Sequence, residues 1–385
     1  MRTPFYCYFT LLLTCLFASP AFPQERDFYF PLTARIEHAP HVFLGSDDRQ
    51  HFVYEILLTN FSQVGVQLKA LSIQSSDRKP VYTAFTDTAL KDMLEVVGTK
   101  KESSEIQSSQ TGVLFLHWTL AKDTPVPTQL HHILTLQTKQ GSQSKTYTEL
   151  IASTTVSTEV IRISPPLKGK GFLAGDSCCS RLHRRSLLPV NGLPALAQRF
   201  AVDWEQVDET GRIFKKPTEN LKNATIYGAQ IYAVADGTVV QVKDYIPDAV
   251  AGKFPENLKF DELEGNSVIL QIAPKHFALY AHMKPGSIKV KVGDNVKRGA
   301  VLGLVGNSGH SLAPHLHFHM MDGPAPLSSN GLPYVLDSFH MRGEGESTQA
   351  FNEAESQGVP LRMKHEARTD HIRQYPLDLA IVDFD

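Results

Sequence analysis

Residues 303–320 read GLVGNSGHSLAPHLHFHM, and the organisation of the rest of the chain follows from this stretch. An apolar run, 301–305, leads into a glycine-punctuated loop, 306–309. Past Pro314 the pattern predicts a short strand with His315, His317 and His319 at every second position. Alternate side chains of a strand share one face, so three imidazoles would point the same way, successive ones roughly 6–7 Å apart. Imidazole is the commonest protein ligand for zinc and the usual proton carrier near neutral pH. A His-x-His strand can therefore give one ring to a metal and keep its neighbour for proton transfer.

On either side of this strand, residues 193–340 are β-rich. Segments 231–235 and 238–242 flank Asp236-Gly237, which predicts a hairpin. Segments 266–272 and 277–282 pair across a Pro-Lys turn, and 287–292 with 300–305 continues the alternation. Residues 245–264 form a polar insertion that could wall a groove. Two further pieces bear on chemistry. RFAVDW, residues 199–204, sets Asp203 in apolar surroundings, where a carboxylate needs a partner or a cation because burying it alone is costly. YAHM, residues 280–283, ends an apolar strand on His282.

In this order the pieces resemble the lysostaphin-type, or LytM-like, zinc endopeptidases. The resemblance spans about residues 198–321 and is carried by YGAQIYAVADGTVV, GNSVIL, LYAHM, VKVGDNVKRGAVLGLVGNSG and PHLHF. It implies a small antiparallel β-domain with an open groove, in which one Zn2+ is held by a His and an Asp four residues apart and by the second His of His-x-His. Carried onto this chain, His317 and Asp203 match metal ligands, and His315 and His282 match the two histidines that assist catalysis. Such a zinc lowers the pKa of water toward ~7 and polarises a peptide carbonyl. His315 or His282 would take the proton and support the oxyanion.

The chain departs from the pattern at one position. Where the family has its first ligand His, this sequence has Arg199. A guanidinium stays protonated and offers no lone pair. Asp203 and His317 alone leave zinc one protein ligand short of the usual three. His183 is the first candidate to replace it, ahead of Cys178, Cys179 and His319. The alternatives are weak binding or another metal, or a domain that has lost its metal, with Arg199 paired to Asp203.

The 385 residues suggest two domains. A net charge of −2 does not direct the chain to nucleic acid or an anionic membrane. Residues 1–21 have the basic start, apolar centre and small-residue exit of a secretory signal, which predicts an exported, periplasmic or extracellular protein with no membrane span after cleavage. Cys7 and Cys15 would leave with it, keeping only Cys178 and Cys179. Adjacent α-carbons at about 3.8 Å fall below the usual disulfide span, so the pair is not expected to be an ordinary structural bridge. Free thiols, pairing with another chain and metal ligation stay open.

Residues 24–163 read as about seven short strands, with 51–60 and 64–75 as a hairpin, a short helix near 89–97, and 112–120, 129–138 and 146–153 as later strands. The spacing suggests an immunoglobulin-like sandwich, giving an all-β fold of two β-domains. His131-His132 reads as structural. Residues 164–190 read as a linker, 191–340 as the peptidase domain, and 341–385 as a tail with a weak helical pattern and a last strand near 377–384. The leading function is an exported zinc endopeptidase acting on peptides of bacterial cell-wall peptidoglycan. The alternative is a non-catalytic relative that binds wall or a partner hydrolase and regulates it. A lipoyl or biotinyl carrier, suggested by 290–305, lacks the modifiable Met-Lys tip.

Overall fold

The structure, a computed structural model, describes residues 28–76, 79–99 and 103–385, without the side chains of 365–367. The expected signal at 1–21, with Cys7 and Cys15, lies outside these residues. The described chain is mostly β, with helices at Asp87–Met93, Arg181–Arg184 and Thr348–Gln357. Among the described residues no helix is long and apolar enough to cross a membrane.

Two antiparallel five-stranded sheets make the N-terminal body. In the first, Leu32–Arg35, Arg49–Asn60, Thr111–Ala121 and Leu94–Val96 lie in that order. In the second the order is Gln143–Thr155, Gln129–Gln140, Val66–Gln74 and Val81–Thr86. Both sheets contribute to one core, which holds Phe52, Tyr54, Ile56 and Leu58 from one side and Leu68, Leu71, Leu134 and Leu136 from the other. The alternation along 52–58 sends the intervening Val53 and Glu55 to the opposite face, where they too are buried, against the C-terminal body.

The expected hairpin of 51–60 with 64–75 does not form, because Arg49–Asn60 and Val66–Gln74 belong to different sheets. The chain crosses between them over a turn organised by Asn60. Its side-chain amide donates to the carbonyls of Val64 (2.8 Å) and Ile106 (2.9 Å), and its Oδ1 accepts from the Ser62 N–H (2.9 Å). Consecutive strands are legible in a sequence pattern; whether they share a sheet is not.

A 12-stranded sheet forms the C-terminal body. Its central order is Tyr334–Gly345, Ala380–Phe384, Gly169–Gly175, Val202–Gln206, Leu316–Met321, His276–Met283, Asn266–Ala273 and Gly237–Lys243. Asn266–Ala273 and His276–Met283 pair as the sequence suggests. The Asp236-Gly237 hairpin does not form. Gln230–Tyr232 pairs instead with Val301–Leu304, and Gly237–Lys243 with Asn266–Ala273. Asp236 is drawn away to accept from the Lys297 ammonium (2.7 Å) and the Arg298 N–H (2.9 Å). Residues 287–292 form no strand.

Two boundaries move. The stretch read as a linker, 164–190, contains Gly169–Gly175, a strand between Val202–Gln206 and Ala380–Phe384. Its four apolar residues Phe172, Leu173, Ala174 and Gly175 are all buried, but the glycines and lysines before them mask the pattern. The stretch read as a tail, 341–385, carries the expected helical pattern as Thr348–Gln357 and the expected last strand as Ala380–Phe384, but adds the strand Met363–Gln374, and both strands lie within the sheet.

Candidate metal and catalytic site

Sheet order brings the chemistry together. Val202–Gln206 and His276–Met283 flank Leu316–Met321, with Asp203 opposite His317 on one side and Ala281 opposite His317 on the other. Asp203 Oδ1 lies 2.7 Å from His317 Nδ1 and 3.5 Å from His315 Nε2. His317 Nε2 lies 3.0 Å from His319 Nδ1, and Asp203 Oδ1 lies between the rings of His315, which precedes the strand, and His317.

His282 follows Ala281 and in regular extended chain would face away from His317. Its φ of +56° breaks the alternation, and its ring stands 4.7 Å from His315 and 5.8 Å from His317, centre to centre. A left-handed backbone is unusual for a non-glycine residue and costs roughly 1–3 kcal/mol, which is tolerated where the surroundings impose it. Here His282 N–H donates to the Glu264 carbonyl (3.0 Å) and Nδ1–H to the Ser308 carbonyl (2.7 Å). Gly265 makes room for that loop: a Cβ on it would fall 2.3 Å from the Ser308 oxygen.

His183 arrives from the segment read as a linker. The strand Gly169–Gly175 lies beside Val202–Gln206, with Gly175 opposite Asp203. Asp176, at φ +47°, turns the chain back, and the short helix Arg181–Arg184 returns His183 to the carboxylate. The loop is held from the C-terminal segment: Asp378 N–H donates to the Cys178 carbonyl (3.0 Å), and Ser177 Oγ–H to the Pro376 carbonyl (2.7 Å). His183 Nδ1–H donates to the Asp176 carbonyl (2.8 Å), which leaves Nε2 facing Asp203 Oδ2 at 3.4 Å.

The electrostatics follow from burial and proximity. Burial alone would raise the Asp203 carboxyl, but the rings of His183, His315 and His317 hold it well below the usual carboxylate range. Burial would lower His183, yet Asp203 and then Asp176 outweigh it and push the imidazole up to about 9. His282 is driven well below the ordinary imidazole value, first by burial and then by His315 and His317. His319 is also driven well below that value, first by burial and then by His317 and His183.

Arg199 does not meet Asp203. Its Nη1 donates to Glu55 Oε2 at 2.6 Å, both groups buried between the two bodies, and its Nε donates to the Gly331 carbonyl at 3.3 Å. The pairing of Arg199 with Asp203 considered for a metal-free domain is therefore corrected: the guanidinium has turned to a carboxylate of the N-terminal sheet. Cys178 and Cys179 are joined to each other with α-carbons 2.9 Å apart, below the span of an ordinary structural disulfide, so it is the free-thiol alternative that is corrected.

His183, Asp203 and His317 offer two imidazole nitrogens and a carboxylate oxygen, all within 4.8 Å of one another. His282, His315 and His317 form an overlapping group at the same spacing. Two histidines and a carboxylate suit zinc and leave a fourth position for water. A carbonyl fixes the ring of His183, the outer support expected of a ligating imidazole. The residues fit. The side chains of His183, Asp203, His315 and His317 are 6%, 18%, 11% and 2% exposed, so solvent reaches the cluster mainly beside Asp203 and His315. The contributions of the Asp176 and Ser308 carbonyls have no sequence signature, because any residue carries that group.

Residues 218–329 match the model of Peptidase family M23, a span that includes His282, His315 and His317 and begins after His183 and Asp203. An uncharacterized metalloprotease of Buchnera aphidicola is 31% identical over 104 residues, 27% of this chain and 23% of that protein. Peptidoglycan DD-endopeptidase ShyA of Vibrio cholerae is 30% identical over 102 residues, 26% of this chain and 20% of that protein. The chain thus spans less than a quarter of the length of either relative. The catalytic domain of lysostaphin from Staphylococcus simulans is 23% identical, covers 43% of this chain and 88% of that one, and superposes with a TM-score of 0.24. Metallopeptidases of family M23 use zinc.

Proposed function

We propose that this chain, whose residues 218–329 form a peptidase family M23 domain, is an exported zinc-dependent endopeptidase that hydrolyses peptide bonds of bacterial peptidoglycan. The observation that carries the reading is the convergence of His183, Asp203 and His317 within 4.8 Å, which supplies three donors without the residue at 199, where the resemblance places the family's first ligand. The name of the ShyA relative supports the substrate class. Export rests on the signal-like residues 1–21. The N-terminal body is read as an immunoglobulin-like sandwich that docks on and shields the peptidase domain.

When bound, zinc supplies a Lewis acid for the scissile carbonyl and acidifies water to a pKa of about 7. His315 and His282 supply the proton acceptor. Each donates Nδ1–H to a carbonyl, Ala313 at 2.8 Å and Ser308 at 2.7 Å, so each keeps the Nε2 lone pair for the site. His315 is the more exposed of the two and sits 3.5 Å from Asp203, so it is assigned the water proton. Once protonated, its Nε2–H becomes a donor to the oxyanion. His282 stays neutral and adds a second acceptor against the same rings.

The test is hydrolysis of purified peptidoglycan peptides by wild-type protein and His315→Ala at equal zinc loading. A loss of about 100-fold or more in kcat is expected for a general base. Unchanged turnover in the variant, or none in the zinc-loaded wild type, would overturn the proposal.

A further inference from the structure

We propose that His51, His117 and Cys179 form a second zinc site, available once the Cys178–Cys179 disulfide is reduced, at the junction of the two bodies. His51 lies on Arg49–Asn60 and His117 on the neighbouring Thr111–Ala121, where it is opposite Val53, so both rings occupy the sheet face turned toward the C-terminal body. That face receives the loop carrying Cys179, and one nitrogen from each ring and the Cys179 sulfur all lie within 4.8 Å of one another.

The hydrogen bonds decide how the rings are poised. His51 Nε2 is 2.9 Å from Asp47 Oδ1, a contact in which Nε2–H donates to the carboxylate. That leaves Nδ1 of His51 with its lone pair, and it stands 3.0 Å from Nε2 of His117. Two ring nitrogens so close need a proton or a cation between them. An N–H···N hydrogen bond would satisfy the pair alone, but would give no role to a sulfur within reach of both. Asp47 behind His51 is the carboxylate–imidazole support found behind metal-bound histidines. Burial, with His51 and Arg184 adding to it, lowers His117 to about 3 and so keeps its ring neutral. Two imidazoles and a thiolate are a borderline donor set suited to zinc, with a fourth position for water.

Cys179 is bonded to Cys178 in this structure. A dithiol reductant supplies two electrons and two protons, breaks the S–S bond to give two thiols, and leaves as its own disulfide. The Cys179 thiol then releases its proton to solvent as the sulfur takes the metal. Occupancy would fasten the loop that leads into the helix bearing His183 to the N-terminal sheet. The catalytic group His183, Asp203 and His317 contains no sulfur, so the two sites are spectroscopically separable.

The test is titration of chelator-stripped protein with Co2+, a stand-in for zinc, following the thiolate-to-cobalt charge-transfer band in the near ultraviolet. Oxidised wild type should give no such band. Wild type reduced with a dithiol and freed of it should give the band with one further equivalent of cobalt, and Zn2+ should bleach it. Cys178→Ser, with Cys179 titrated as a free thiol, should give the band without reductant. Cys179→Ser and His117→Ala, each checked for native circular dichroism, should lack it. His317→Ala should keep the band while losing the other equivalent, so failure at the catalytic site leaves this readout intact. No band in Cys178→Ser, or a band unaffected by His117→Ala, would overturn the proposal.

Discussion

His183 Nε2 stands 3.4 Å from Asp203 Oδ2, although one residue comes from a helix after Gly169–Gly175 and the other from the next strand of the sheet. With metal removed, the contact is an ion pair whose imidazole holds its proton up to about pH 9. The unfolded value is about 6.5, so the raised folded value stabilises fully below that pH and the contribution is lost as pH climbs through about 9, on the order of 3 kcal/mol. Chelator-treated protein should therefore lose denaturant midpoint between about pH 6.5 and 9, and His183→Gln should flatten the profile. An equal slope in the variant would contradict the assignment.

His319 tests the support behind a ligand. It is buried, and its Nδ1 faces His317 Nε2 at 3.0 Å. Removing such a partner typically costs about 10- to 100-fold in metal affinity. His319→Ala should weaken zinc binding by that factor in competition with a chromophoric chelator. His319→Gln, which keeps an acceptor, should retain more of it. Equal affinity in wild type and His319→Ala would remove His319 from the metal's surroundings.

Arg199 is expected to matter for stability and not for metal. Burial pushes the Glu55 carboxyl up while Arg199 opposes it, and the pair is closed off from water. Breaking a buried pair by removing one partner costs about 3–5 kcal/mol, whereas replacing both by apolar groups is often near neutral. Arg199→Met should lose stability on that scale in urea unfolding, with Glu55→Leu added restoring most of it, and zinc content should be unchanged in both. Zinc loss in the double variant would mean that Arg199 serves the site.

Much of the site was legible because strand periodicity is strict: His317 and His319 had to share a face, and the apolar setting of Asp203 demanded a counter-charge. His282 was less accessible, since its aim depends on a positive φ that breaks the alternation. The proximity of His183 follows from Gly169–Gly175 pairing beside Val202–Gln206, hidden by a composition that reads as linker. The fate of Arg199 depends on Glu55, 144 residues away, and no local pattern reports such a contact. The false hairpins at 61–63 and at Asp236-Gly237 share one cause: turn chemistry marks where a strand ends, and the core decides which sheet receives the next one.

The most direct measurement is the zinc content of purified wild-type protein beside His183→Ala and His317→Ala, after equilibration with limiting zinc and removal of the unbound ion. Three donors with His183 among them predict about one tightly held zinc per wild-type chain and near-complete loss in both variants. Full retention of zinc by folded His183→Ala would contradict the account.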